Sequence, residues 1–101
     1  MGKVIVEVTV VPLGTKSASL SLFVAEAEKV LKNFPNLKSM LTPMSTILEG
    51  EMGEILDAVK AMHEAPFRQG AVRVSTTIRV DDRRDKEISM EGKLAAVKGK
   101  L

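Results

Sequence analysis

Residues 41–51, LTPMSTILEGE, concentrate much of the chain's capacity for hydrogen-bond chemistry. Thr42, Ser45 and Thr46 carry hydroxyls, and Glu49 and Glu51 carry carboxylates. A hydroxyl donates and accepts while an ionised carboxylate only accepts, so this run can read the polar edge of a small heterocycle. The same residue types also build ordinary turns, and Pro43 suits a hairpin tip. Residue type alone leaves both uses open.

Catalytic chemistry has less support. The chain has no cysteine, which removes disulfides, thiolate nucleophiles and cysteine-ligated metals. Its single histidine, His63, stands beside Met62 on a helical pattern, where a helix-surface or core-edge role fits better than catalysis. Ser17, Ser19 and Ser45 have no histidine at an evident spacing and read as caps, turn residues or ligand contacts. Asp81, Asp82 and Asp85 cluster as hard-cation ligands would, but Arg83 and Arg84 stand between them and favour a salt-bridged loop. The two arginines, or Arg79, alternatively offer forked donors to an anion held by a regulatory module. With no GxGxxG or GxxxxGK[ST] run, neither a dinucleotide nor a P-loop site has a motif, and no cofactor or metal is expected.

Such groups need a scaffold, and 101 residues supply one domain, residues 1–101. A chain this size buries only roughly two-thirds of its unfolded surface, so association with further copies would help it. A hydrophobic share of 45% with 28% charged residues is that of a soluble globular protein. No apolar run approaches the ~20 residues needed to span a bilayer. Glu7 interrupts the N-terminal apolar stretch, which excludes a signal-peptide reading and makes the cytoplasm the expected location. The net charge of +2 comes from interspersed signs, not a basic block, which argues against nucleic acid as a partner.

The elements are legible in the periodicity. Residues 4–11, VIVEVTVV, place Val4, Val6, Val8 and Val10 on one strand face and Ile5, Glu7, Thr9 and Val11 on the other. Pro12 and Gly14 break the strand, and Ser17 or Ser19 is placed to cap a helix that carries Leu20, Phe23, Val24, Ala27, Val30, Leu31 and Phe34. Two short strands at 38–43 and 45–50 then turn near Met44. Glu51 and Glu54 lead a second helix, which Pro66 is expected to kink or end near Ala65, with Gly70 placed as a cap beyond it. Residues 72–81 alternate as a fourth strand, and Ser89 caps a short last helix with Met90, Leu94 and Val97 on one side.

The order βαββαβ predicts an α+β fold: a four-stranded antiparallel sheet, order 4-1-3-2, with two helices on one face plus the short C-terminal helix. Glu7, Thr9, Ser75, Thr77 and Arg79 then share the opposite face. Ile5 and Val11 among them suggest a subunit interface with a polar pocket. Sheets of this topology also bind single-stranded RNA through aromatic residues of central strands, but the first and third strands contain none.

Three segments carry a resemblance beyond pattern: VEVTVVPLGTKSASLSLFV at 6–24, LTPMSTILEGE at 41–51 and TTIRVDDRRDKEISMEGKL at 76–94. In order and across nearly the whole chain, they resemble a family of small cytoplasmic proteins that bind thiamine or its hydroxymethylpyrimidine moiety. The resemblance implies a ferredoxin-like subunit in dimers and commonly tetramers, binding a small molecule instead of catalysing a reaction. On it, Glu49 is expected to pair with the pyrimidine edge, flanked by Thr46 and Thr77. Leu13 and Gly14 would contribute backbone groups, with Ser17 and Ser19 nearby and Met44 against the ring. The chain has neither Trp nor Tyr, the best platforms for a cationic thiazolium, so the pyrimidine alone suits it better than intact thiamine.

Overall fold

The computed structural model describes residues 2–101. Its centre is β1, Lys3–Pro12, whose alternating valines make one face wholly apolar. β1 pairs antiparallel with β3, Thr46–Glu51, and with β4, Val74–Asp81, while β2, Lys38–Leu41, pairs only with β3. The resulting order, β2-β3-β1-β4, is the expected 4-1-3-2 read from the other end. Val4, Val6, Val8 and Leu48 are buried against α1, Ser21–Lys29, and α2, Met52–Arg68, together with Ala27, Ile55, Val59 and Met62.

The first connection differs from expectation. Neither Ser17 nor Ser19 caps α1, which starts at Ser21 with Leu20 at the N-cap position and no side-chain cap bond. The Ser17 hydroxyl oxygen instead accepts from the Ser19 N–H at 3.1 Å, a bond used up within the loop. The helix then tightens into a 3-10 turn, Val30–Asn33, before Pro35.

α2 is well made at both ends. Glu51 is its N-cap, accepting from the Glu54 N–H at 3.0 Å, and the backbone donors of Gly53 and Glu54 hold the Glu51 carboxyl below the usual carboxylate range. Contrary to expectation, Pro66 does not end the helix, which runs on to Arg68. Pro66 lies in the last turn, so the N–H it lacks removes one of the final i→i−4 bonds and interrupts no turn beyond it, and its ring is fully buried. Its carbonyl also takes part in the stop: the Ala71 N–H donates to Pro66 O at 3.0 Å and the Gly70 N–H to Phe67 O at 3.1 Å. These two bonds with Gly70 at φ +96° form a Schellman stop.

α3, Met90–Lys98, is capped by Ser89, whose hydroxyl accepts from the Gly92 N–H at 3.0 Å. It folds onto the sheet face opposite α1 and α2, where Met90 and Ile88 bury Ile5 with Ile47 alongside. Ion pairs from Lys38 to Glu91 and from Lys93 to Asp81, the latter at 2.6 Å, tie it to both edges of the sheet. The C-terminal helix is thus a cover for half of the second face, while Leu94 and Val97 point to solvent. Among the described residues no helix is long and apolar enough to cross a membrane.

Leu48→Ala, at a fully buried position, should lower the unfolding free energy by about 2–5 kcal/mol in a urea titration. Gly70→Ala should cost about 1 kcal/mol in the same assay, because its left-handed backbone disfavours a Cβ.

Candidate functional site

The Thr42 and Ser45 hydroxyls of the 41–51 hairpin are spent on the turn and on the neighbouring strand β1. The Thr42 oxygen accepts from the Ser45 N–H at 3.0 Å and the Met44 N–H at 3.3 Å, and its proton reaches the Ser45 carbonyl at 2.9 Å. The Ser45 hydroxyl donates to Glu7 Oε2 at 2.9 Å. Thr46 is the exception, because its partner belongs to a helix.

Thr46 lies opposite Val8 on the helix-facing side of β3 and is 5% exposed. Its Oγ1 donates to Glu28 Oε2 at 2.7 Å. This pair sits in a cleft of about 160 Å³ between α1 and the hairpin, walled by Leu20, Val24, Leu41 and Met44. Glu28 is half-buried, and among the described residues it has no ion-pair partner. A carboxylate offers about four acceptor positions and Thr46 uses one, so the cleft presents unspent acceptor capacity beside an apolar wall. Sequence reasoning missed Glu28 because AEAEK looks like a solvated helix face. A signal was present: Glu28 stands one turn after Val24 and one turn before Leu31, on the edge of the apolar stripe.

Leu13, Gly14, Ser17 and Ser19 are brought together elsewhere. They line a separate, larger depression of about 580 Å³ with Lys16, Phe23 and Gly70. There the Thr15 hydroxyl donates to the Ser17 carbonyl at 2.7 Å.

Glu49 and Thr77 lie on the other sheet face, so the expected trio of Glu49, Thr46 and Thr77 does not form. Positions 46 and 49 of one strand differ by an odd number and must point to opposite faces. Thr77 is exposed on β4, in the row of Thr9, while Glu49 is in the row of Ile5. Glu49 is 7% exposed beneath α3, where its Oε1 accepts from the Met90 N–H at 2.7 Å. It thereby satisfies an orphan donor at the start of α3, a helix-capping role played from across the sheet.

The remaining polar clusters are internally matched. Arg83 binds Asp85 at 2.6 and 3.0 Å, and Arg84 binds Asp82 at 2.8 and 3.2 Å, the salt-bridged loop expected of this segment. Those hydrogen bonds hold both carboxyls below their usual range. The forks of Arg83 and Arg84 are thus engaged, and no geometry here favours an anion at Arg84. His63 Nδ1 is 2.6 Å from Thr76 Oγ1, with Phe67 edge-on to its ring, a core-edge position that joins α2 to β4. Among the described residues no group of side chains is arranged to hold a metal ion.

Comparison with known proteins adds a family. The profile of the family described as thiamine-binding protein matches residues 6–98. A UPF0045 protein of Bacillus subtilis is 44% identical over 92% of this chain and 92% of its own length. The crystal structure of a hypothetical protein from Methanocaldococcus jannaschii superposes with a TM-score of 0.86 at 42% identity, covering 100% of both chains. That of a putative thiamine biosynthesis/salvage protein from Thermotoga maritima gives 0.76 at 27% identity, over 94% of this chain and 98% of the other.

The anchoring role of Glu49 is directly measurable. Glu49→Ala should lower stability by about 1–3 kcal/mol by leaving the Met90 N–H unpaired, with faster amide exchange in α3. Glu49→Gln, which keeps an acceptor, should lose less.

Proposed function

As this chain belongs to the thiamine-binding protein family, we propose that it binds the hydroxymethylpyrimidine ring, free or as part of thiamine, in the cleft between α1 and the β2–β3 hairpin. The observation that carries this reading is the Glu28–Thr46 pair in a largely apolar recess. An aminopyrimidine presents an exocyclic amine that donates and a ring nitrogen that accepts. The Glu28 carboxylate takes the first, and the Thr46 hydroxyl turns its one proton from Glu28 to the second on binding, while Val24, Leu41 and Met44 contact the ring faces. A recess of about 160 Å³ is below the ~300 Å³ at which sites for drug-sized ligands begin, so it matches one ring and leaves a thiazolium outside at the exposed Met44. Leu13, Gly14, Ser17, Ser19, Glu49 and Thr77 stand outside this recess.

The protein acts as a binder and not as an enzyme, a reading supported by the family description. It works as a cytoplasmic homo-oligomer. Half-covered apolar groups on the outer sheet face and edges support association, and the lack of cysteine fits a reducing compartment.

Calorimetry of the wild-type protein should give saturable heat with hydroxymethylpyrimidine, and weaker or equal binding with thiamine. Glu28→Ala should reduce the affinity about 10- to 100-fold, the worth of a hydrogen bond to a charged group, without loss of fold. Ser17→Ala should change it little. No heat and no melting shift with either ligand at millimolar concentration would refute the reading.

A further inference from the structure

One stretch of β1 is left without a strand on its β3 side. The ladder with β3 ends at Val8 opposite Thr46, while β1 itself runs on to Pro12. Antiparallel strands alternate bonded and non-bonded pairs, so each residue turns both of its backbone groups to one side. The Leu13 N–H donates to the Arg73 carbonyl at 2.9 Å, which assigns the odd-numbered residues of β1 to β4 and the even-numbered ones to β3. The Thr42 N–H donates to the Ser45 carbonyl at 2.8 Å, and the same alternation turns Thr46, Leu48 and Gly50 of β3 towards β1. The two bonds agree on the assignment.

Val10 is the next residue in that series, and Met44 is the position that would face it. The hairpin turns away there instead, and the Met44 N–H donates to the Thr42 hydroxyl oxygen at 3.3 Å. Among the described residues, neither the Val10 N–H nor its C=O has a hydrogen-bond partner. Pro12, the next even position, has no N–H, so Val10 is the residue of this free stretch with a complete donor–acceptor pair. Val10 lines the Glu28–Thr46 cleft, as do Met44 and Ser45. It stands two residues beyond Val8, hence about 7 Å along the strand from the position that Thr46 faces. Its side chain packs against the core, which holds this backbone in place.

We propose that the Val10 N–H and C=O are a second recognition element of this cleft, reading a primary hydroxyl beside the amine of the pyrimidine, so that the ligand is the free, unphosphorylated alcohol. The inference rests on the pyrimidine reading of the cleft and names the form of the ring that it takes. A hydroxyl donates and accepts at once, so one group satisfies both backbone atoms. Ring nitrogen, amine and hydroxymethyl follow one another around the edge of hydroxymethylpyrimidine, and Thr46, Glu28 and Val10 supply one partner for each. In thiamine the methylene carbon bears the thiazolium nitrogen in place of the hydroxyl, and both Val10 groups go without. A phosphate ester fares worse. Among the described lining residues there is no lysine or arginine and Glu28 carries the charge, so a dianion would meet repulsion with no cation to pair with.

Amide hydrogen exchange by nuclear magnetic resonance, with calorimetry, tests this on the whole wild-type chain. In the free protein the Val10 amide should exchange about tenfold or more faster than those of Val6 and Val8, and saturation with hydroxymethylpyrimidine should slow it. The methyl analogue 4-amino-2,5-dimethylpyrimidine should bind about tenfold more weakly and leave that amide unprotected, and the phosphate ester of the alcohol should bind more weakly still. Val10→Pro removes the N–H without touching the β4 ladder and should erase most of the difference between alcohol and methyl analogue. Val10→Ala, which keeps both backbone groups, should preserve it. Equal affinity for the alcohol and its methyl analogue, tighter binding of the phosphate ester, or a Val10 amide that the alcohol leaves unprotected overturns the Val10 assignment while the pyrimidine reading stands. No binding of either the alcohol or thiamine overturns both.

Discussion

β1 pairs with β3 over residues 3–8 and with β4 over residues 5–12, and its register with the two strands sets the face that each of their side chains serves. Val4, Val6 and Val8 are buried against the helices, while Ile5, Glu7 and Thr9 face the other way. Burying one such side chain is worth about 1.5–3 kcal/mol, so a slip by a single residue would forfeit several of them at once. With that register held, the parity of a residue number on β1, β3 or β4 decides which face it serves. The helix-facing side receives Thr46 and Leu48, and the other receives Ile47, Glu49, Thr77 and Arg79.

This partition gives two sheltered acidic residues different work. Glu49, on the outer face, holds the first backbone donor of α3 and so clamps a cover over Ile5. Glu28 reaches the inner face from α1 and meets Thr46 where the hairpin folds over the helix. The first carboxylate has its obligation met within the chain. The second is bonded to one hydroxyl and faces a recess, which is the condition of a group suited to a ligand. The polarity of the hairpin had pointed to the same neighbourhood for another reason, because Thr42 serves the turn and Ser45 bonds Glu7 of β1.

The outer surface is likewise uneven. α3 covers the end of the second face near Ile5 and Asp81, and β2 is short and carries a lysine. β4 has no such protection, and its apolar neighbours on α2 are left half covered.

Much of this architecture was legible in the residues themselves. The alternation of VIVEVTVV, the Ser89 cap, the Asp–Arg pairing of residues 82–85 and the order of elements depend on neighbours a few positions away. Even the separation of Thr46 from Glu49 was available, since two residues three apart on a strand cannot share a face. Tertiary structure decided the rest. It kept Pro66 inside α2 by burying its ring, left α1 without a serine cap, folded α3 back over Ile5 and turned Glu49 into its anchor. It also brought Glu28 to Thr46 across eighteen positions of sequence. Local patterns report hydrogen bonds and periodicity within an element. The direction in which a carboxylate spends its acceptors depends on which element packs over it, and only the folded chain sets that.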